Sequence, residues 1–110
     1  MRILQIAPPW FAVPPESYGG IEWVVALLAD GLTDAGHEVT LVASGGSRTH
    51  ARLHIVYETP PSEAIGDLAL EVSHVIEGYL QADSIDLVHD HSGLVGPALG
   101  ALAPVTVVHT

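Results

Sequence analysis

Short apolar runs and longer amphipathic stretches alternate along the whole chain. Ile3 to Ala7 is an apolar run closed by Pro8-Pro9, the pattern of a buried strand. A loop through Trp10, Phe11, Pro14, Pro15 and Tyr18 leads to Gly19-Gly20. Val24, Leu27, Leu28 and Leu32 then recur at helical spacing, with Asp30 and Asp34 on the opposite side, and Gly36 is placed to end that helix in the left-handed conformation. Glu38 to Ala43 predicts a second strand, ended by Ser44-Gly45-Gly46-Ser47, and Leu53 to Tyr57 a third. Ser62, after Pro60-Pro61, is a candidate N-cap for a long helix with Ile65, Leu68, Val72, Ile76 and Tyr79 on its apolar side. Ile85 to His89 predicts a fourth strand, Leu94 to Leu102 a short helix, and Val105 to Val108 a fifth strand.

Strands separated by helices need crossover connections, which are right-handed and give a parallel sheet. The predicted fold is α/β, a Rossmann-like parallel sheet of order 3-2-1-4-5 with helices on both faces. In that order the chain reverses between strands 1 and 4, and ligands of such sheets bind beyond the carboxyl ends of the strands at the reversal. Three segments are expected there: Tyr18-Gly19-Gly20, the run His89-Asp90-His91 with Ser92-Gly93, and Val108-His109-Thr110.

Composition narrows the function. The 110 residues hold one domain. Hydrophobic residues make up 48% of the chain but aromatics only 5%, so the core is built from aliphatic side chains, as in a sheet covered on both faces. The absence of cysteine excludes a disulfide framework and a cysteine nucleophile. The three basic residues, Arg2, Arg48 and Arg52, against thirteen acidic ones give a net charge of −10. Such a surface repels a phosphate backbone, so nucleic acid is not an expected partner. No apolar run reaches the roughly 20 residues of a membrane span. The cytoplasm is the default compartment, with attachment to the membrane periphery left open for a full-length protein.

Gly19 and Gly20 precede a helix whose first free N–H groups form an anion site, and without Cβ atoms they let a phosphate come close to the backbone. The pair also fits an ordinary flexible turn. His89 and His91 share one face of a strand while Asp90 points the other way. Of the two, His89 is expected in the core and His91 in the pocket. His-x-His with Asp90 and His109 offers nitrogen and oxygen ligands for zinc, but no fourth ligand or typical spacing follows, so no metal is expected. His37 suits the helix C-terminal dipole. His50, His54 and His74 read as exposed polar residues. Dinucleotide binding is disfavoured: the Gly-x-Gly-x-x-Gly turn is missing, and Ala43-Ser44 stand where an acidic residue would hold a ribose.

Taken in order, these runs resemble the opening of the family-4 glycosyltransferases. The resemblance rests on Pro14 to Val25 with its Tyr18-Gly19-Gly20-Ile21-Glu22, on Gly36-His37-Glu38-Val39, on Asp86 to Ser92 and on Val105 to Thr110. It implies the N-terminal half of a GT-B fold, in which two Rossmann-like domains face each other across a cleft. It also implies retaining transfer of a sugar from a nucleotide-sugar donor to a small-molecule or saccharide acceptor, without a cofactor or bound metal. Gly19 and Gly20 would approach the donor diphosphate, and His109 would act beside the transferred sugar as the catalytic histidine. Tyr18, Asp90 and His91 would line the acceptor and sugar side. In the family, the diphosphate clamp and the nucleotide-binding glutamates come from a second domain. Residues 1–110 are therefore expected to be an incomplete N-terminal domain, inactive alone, lacking the C-terminal donor-binding domain and prone to self-association through an exposed sheet edge. Two other readings remain: a non-catalytic small-molecule-binding α/β module, and another sugar-nucleotide enzyme such as an epimerase, which would need the missing glycine fingerprint.

Overall fold

A computed structural model describes residues 1–110. Five strands, β1 (Arg2–Ile6), β2 (Glu38–Ala43), β3 (Arg52–Ile55), β4 (Leu87–Asp90) and β5 (Thr106–His109), form one sheet in the order β3-β2-β1-β4-β5. Every pairing is parallel. Three helices connect them: α1 (Gly20–Asp34), α2 (Leu68–Tyr79) and α3 (Val95–Gly100). The predicted order and class are those observed, and the chain reverses between β1 and β4.

The central strand β1 is buried on both faces, and its alternation divides the core. Ile3 and Ala7, with Val39, Leu41 and Ala43 of β2, pack under Val25, Ala26 and Ala29 of α1. Leu4 and Ile6 join Val42 and Val88 on the other face, with Tyr79 at its margin. Gly78 lets α2 sit close there, since a Cβ at that position would lie 3.0 Å from Ile6 Cδ1. No helix is long and apolar enough to cross a membrane.

The end of α1 follows the prediction. Gly36 has φ +99°, its N–H donates to Thr33 O, and His37 N–H donates to Leu32 O, so the last carbonyls are satisfied by a Schellman closure. The buried face of α1 differs from the predicted one. Val25, Ala26, Ala29 and Glu22 face inward, whereas Val24 and Leu27 are exposed, Leu27 by 71%. Small side chains allow the helix axis to approach the sheet, and that places the larger residues on the outer side.

The long helix predicted from Ser62 is two pieces. Ser62–Ala64 is a single 3-10 turn, Gly66 follows with φ +93°, and α2 starts at Leu68 behind Asp67, whose carboxylate accepts the Leu70 N–H at 3.2 Å. The Ser62 hydroxyl instead donates to the carbonyl of Trp10 and ties the loop after β1. Ile65, Leu68 and Ile76 are exposed, and α2 buries His74, Val75 and Gly78. His74, expected at the surface, is fully enclosed: its Nε2 is 2.7 Å from Ala7 O and its ring stacks on Tyr57.

Candidate functional site at the carboxyl edge of the sheet

Gly19 is the N-cap of α1, and its carbonyl accepts the Trp23 N–H at 3.0 Å. The amides of Gly20, Ile21 and Glu22 precede the helix's own acceptors and are left for other partners. The two glycines do different work. A Cβ on Gly19 would lie 2.7 Å from Pro15 Cγ and 2.8 Å from Glu22 Oε1, so this position is glycine for packing. Nothing lies within 4 Å of a Cβ on Gly20, whose backbone stands open to solvent. Tyr18, immediately before them, is 91% exposed.

Parallel register places Asp90 of β4 directly beside His109 of β5. Asp90 is fully buried: one carboxylate oxygen accepts from the Ser92 N–H at 2.8 Å and the Ser92 hydroxyl at 2.6 Å, and the other accepts from Tyr79 OH at 2.8 Å. That second oxygen also lies 3.8 Å from His109 Nδ1. Burial, reinforced by the bond to Asp90, raises the Tyr79 phenol above the ordinary tyrosine range. Helix α3 closes this cluster with two bare positions one turn apart. A Cβ on Gly96 would lie 2.5 Å from Asp90 Oδ2 and from Ser92 Oγ, and one on Gly100 would lie 2.8 Å from His109 Nε2 and from Tyr79 OH.

The other face of the same strand ends carries a different cluster. His89 and His91 rings are 3.9 Å apart. Thr110 Oγ1 is 2.8 Å from His91 Nδ1 and 3.4 Å from His89 Nε2, while His91 Nε2 is 2.7 Å from Gln5 Oε1. A neutral His91 satisfies this chain by donating from Nε2 to Gln5 and accepting at Nδ1 from the Thr110 hydroxyl. Burial first, then the neighbouring His89, lowers the His91 pKa to about 4 against the pull of Asp90. Burial likewise lowers that of His89. His91 is the enclosed member, 3% exposed, and His89 is half-buried, the reverse of the division expected from the strand end. Asp90 and His91 thus point to opposite sides, and with His89 and His109 they do not converge into one ligand set.

The loops beyond β1, β2 and β3 enclose a cleft of about 630 Å³, lined by Pro14, Pro15, Glu16, Arg48, Glu58 and Thr59 among others. A second hollow, of about 550 Å³, lies at the amino ends of the strands, where Arg2 pairs with Glu38 at 2.9 Å; it is remote from the reversal.

The sequence profile of Glycosyltransferase Family 4 matches residues 18–110. The chain belongs to that family. Among solved structures it is similar to AviGT4, a glycosyltransferase involved in avilamycin A biosynthesis, at 34% identity and a TM-score of 0.61. The similarity covers 98% of this chain and 31% of AviGT4, so the chain spans about a third of that protein's length. No curated protein matches the chain significantly. The sheet order and flanking helices are those of a Rossmann-like layer of the GT-B fold.

Tyr79, Gly96 and Gly100 surround Asp90 and His109 without a motif of their own, and Ser92, in a segment expected at this edge, joins them. Gln5 carries no signal in the sequence, and Thr110, although in a segment expected at this edge, gains its partners His89 and His91 only through the parallel register.

Proposed function

We propose that this family-4 chain forms the acceptor-facing wall of a retaining glycosyltransferase, which moves a sugar from a nucleotide-sugar donor to an acceptor hydroxyl. The observation that carries the reading is the pairing of Asp90 with His109 at the strand ends of a family-4 domain, at the edge where α1 opens with a bare Gly20. Gly20 and the free amides behind it would receive the donor diphosphate, and fixed N–H dipoles aimed at a leaving diphosphate stabilise the charge that develops on it. The buried carboxylate of Asp90, 3.8 Å from His109 Nδ1, would hold the imidazole in place beside the transferred sugar, with the bare Gly100 leaving room for its Nε2 edge. Tyr18, exposed at the start of α1, would touch the acceptor. Asp90 and His91 would act on the sugar side through the residues they orient, since both are buried.

The clamp on the diphosphate would come from a second, donor-binding domain. Arg2 and Arg52 line the hollow at the amino ends of the strands and Arg48 lies in the cleft beyond Pro15, so this chain places no arginine in the cluster around Asp90 and His109. No metal or cofactor has a role in this scheme. Residues 1–110 mixed with UDP-, GDP- and ADP-sugars and a panel of hydroxylated acceptors should give no transfer. A chain extended by the second domain should give product of retained anomeric configuration, read by proton NMR, and His109→Ala should lower kcat about 100-fold, a loss within the range of positioned proton and charge contacts. Turnover by residues 1–110 alone, or an inverted product, would count against the scheme.

A further inference from the structure

The loop after β1 is bolted down on one side of the sheet edge. Ser47 Oγ accepts the Val13 N–H at 2.8 Å and donates to Ser44 O at 2.7 Å. Ser44 Oγ donates to Pro9 O, the Arg48 N–H donates to Val13 O at 2.8 Å, and the Ser62 hydroxyl reaches Trp10 O. Gly45 closes the opposite wall: its N–H donates to Tyr57 O at 2.7 Å, and a Cβ there would lie 1.7 Å from the carbonyl oxygen of Glu58. The cleft of about 630 Å³ between these walls is therefore preformed. Pro15 belongs to its lining and also packs on Gly19, so the cleft adjoins the opening of α1.

Arg48 is the only cation in that lining, and it is exposed. The chain carries only three arginines against thirteen carboxylates, yet none of its ion pairs involves Arg48. With its backbone N–H fixed on Val13 and its guanidinium unpaired, Arg48 is free to offer its fork of donors to an anionic oxygen group in the cleft. Glu16 and Glu58 line the same cleft and can accept from hydroxyl groups. We propose that this cleft is an acceptor subsite for a small hydroxylated molecule carrying one anionic oxygen group, with the anion on Arg48 and hydroxyls facing Glu16 and Glu58. The assignment as acceptor rests on the transferase reading; the binding chemistry does not.

Residues 1–110 are titrated with glucose 6-phosphate, glucuronate, glucose and inorganic phosphate, without any donor, while backbone amide shifts are followed by NMR. The expected result is binding of glucose 6-phosphate or glucuronate at least tenfold tighter than glucose, with shifts at Gly46, Arg48 and Thr59. The stronger of the two anionic sugars distinguishes a phosphate from a carboxylate. Arg48→Gln should abolish the preference with its amide spectrum otherwise retained, and Arg48→Lys should restore part of it. Equal binding of glucose, absence of binding by both anionic sugars, or an anion preference that survives Arg48→Gln refutes the subsite. Inorganic phosphate binding as tightly as the sugar phosphate refutes the hydroxyl contacts. Failure of the transferase reading shows elsewhere, as absent transfer by the extended chain, and leaves these titrations unchanged.

Discussion

His91 and His74 are neutral histidines that folding has enclosed, and this gives the protein a pH dependence of definite sign. Burial dominates the lowering at both, to about 4 for His91. In the unfolded chain both rings titrate near 6.5, so between that value and the folded one the unfolded state holds more protons. Their stabilising contribution is complete above about pH 7 and declines as pH falls toward about 4, below which His91 adds no further loss. Exposed His50 shifts the other way beside Asp34, but solvent screens its pairing and its effect is small. Urea midpoints should fall from pH 7 to pH 5, and His91→Gln should flatten the slope; a midpoint independent of pH in the unaltered chain would refute the argument.

At the scale of elements, the glycines at loop and helix junctions separate folding from ligand approach. Gly45→Ala drives a Cβ into the backbone of the loop after β3, so the walls must part, and unfolding in urea should show a loss of about 3 kcal/mol. Gly20→Ala meets nothing and replaces the poorer helix former, so it should be neutral or stabilising by up to about 1 kcal/mol. If Gly20 faces the donor diphosphate as proposed, the same Gly20→Ala in an extended, active chain should slow transfer, because its methyl group takes up that open space; unchanged kcat/KM would remove Gly20 from the donor site. Much of this architecture was legible beforehand. The alternation of runs, together with right-handed crossovers, leads to the sheet order and to the edge where the clusters assemble. The rotation of α1 and α2 was not legible, since periodic large apolar residues stand out in a sequence while Ala26, Ala29, Gly78 and His74 do not. Gly66 and Gly78 both stand inside the predicted long helix, and only the left-handed φ of Gly66 decides which of them interrupts it. Arg48 follows β2 in the sequence, and only the bonds that join Ser44, Ser47 and Arg48 to Pro9 and Val13 bring it beside the loop after β1.

Across the whole molecule, β5 pairs only with β4 and leaves one edge open, and apolar side chains gather near that side and along α1. Val108 is 43% exposed, Leu94 and Leu102 more than 80%, and Ile21, Trp23, Val24 and Leu27 lie on the outer face of α1. Open edges with apolar surroundings pair with further chains unless charge prevents it. The net charge of −10 opposes association at low salt and does so less as salt screens it. Sedimentation of residues 1–110 should therefore show self-association that grows with ionic strength, and Val108→Lys should reduce it. A monomer at all salt concentrations, including those that screen the charge, would refute association through this edge.

The three serine hydroxyls that hold the loop after β1 reach it through main-chain atoms, at Pro9, Trp10 and Val13. Phe11, Ala12 and Glu16, which line the cleft, take no part in those ties. Of the three serines only Ser62 also lines the cleft, so exchanging Phe11, Ala12 or Glu16 can retune the wall for a different ligand while the three bolts keep the loop's shape.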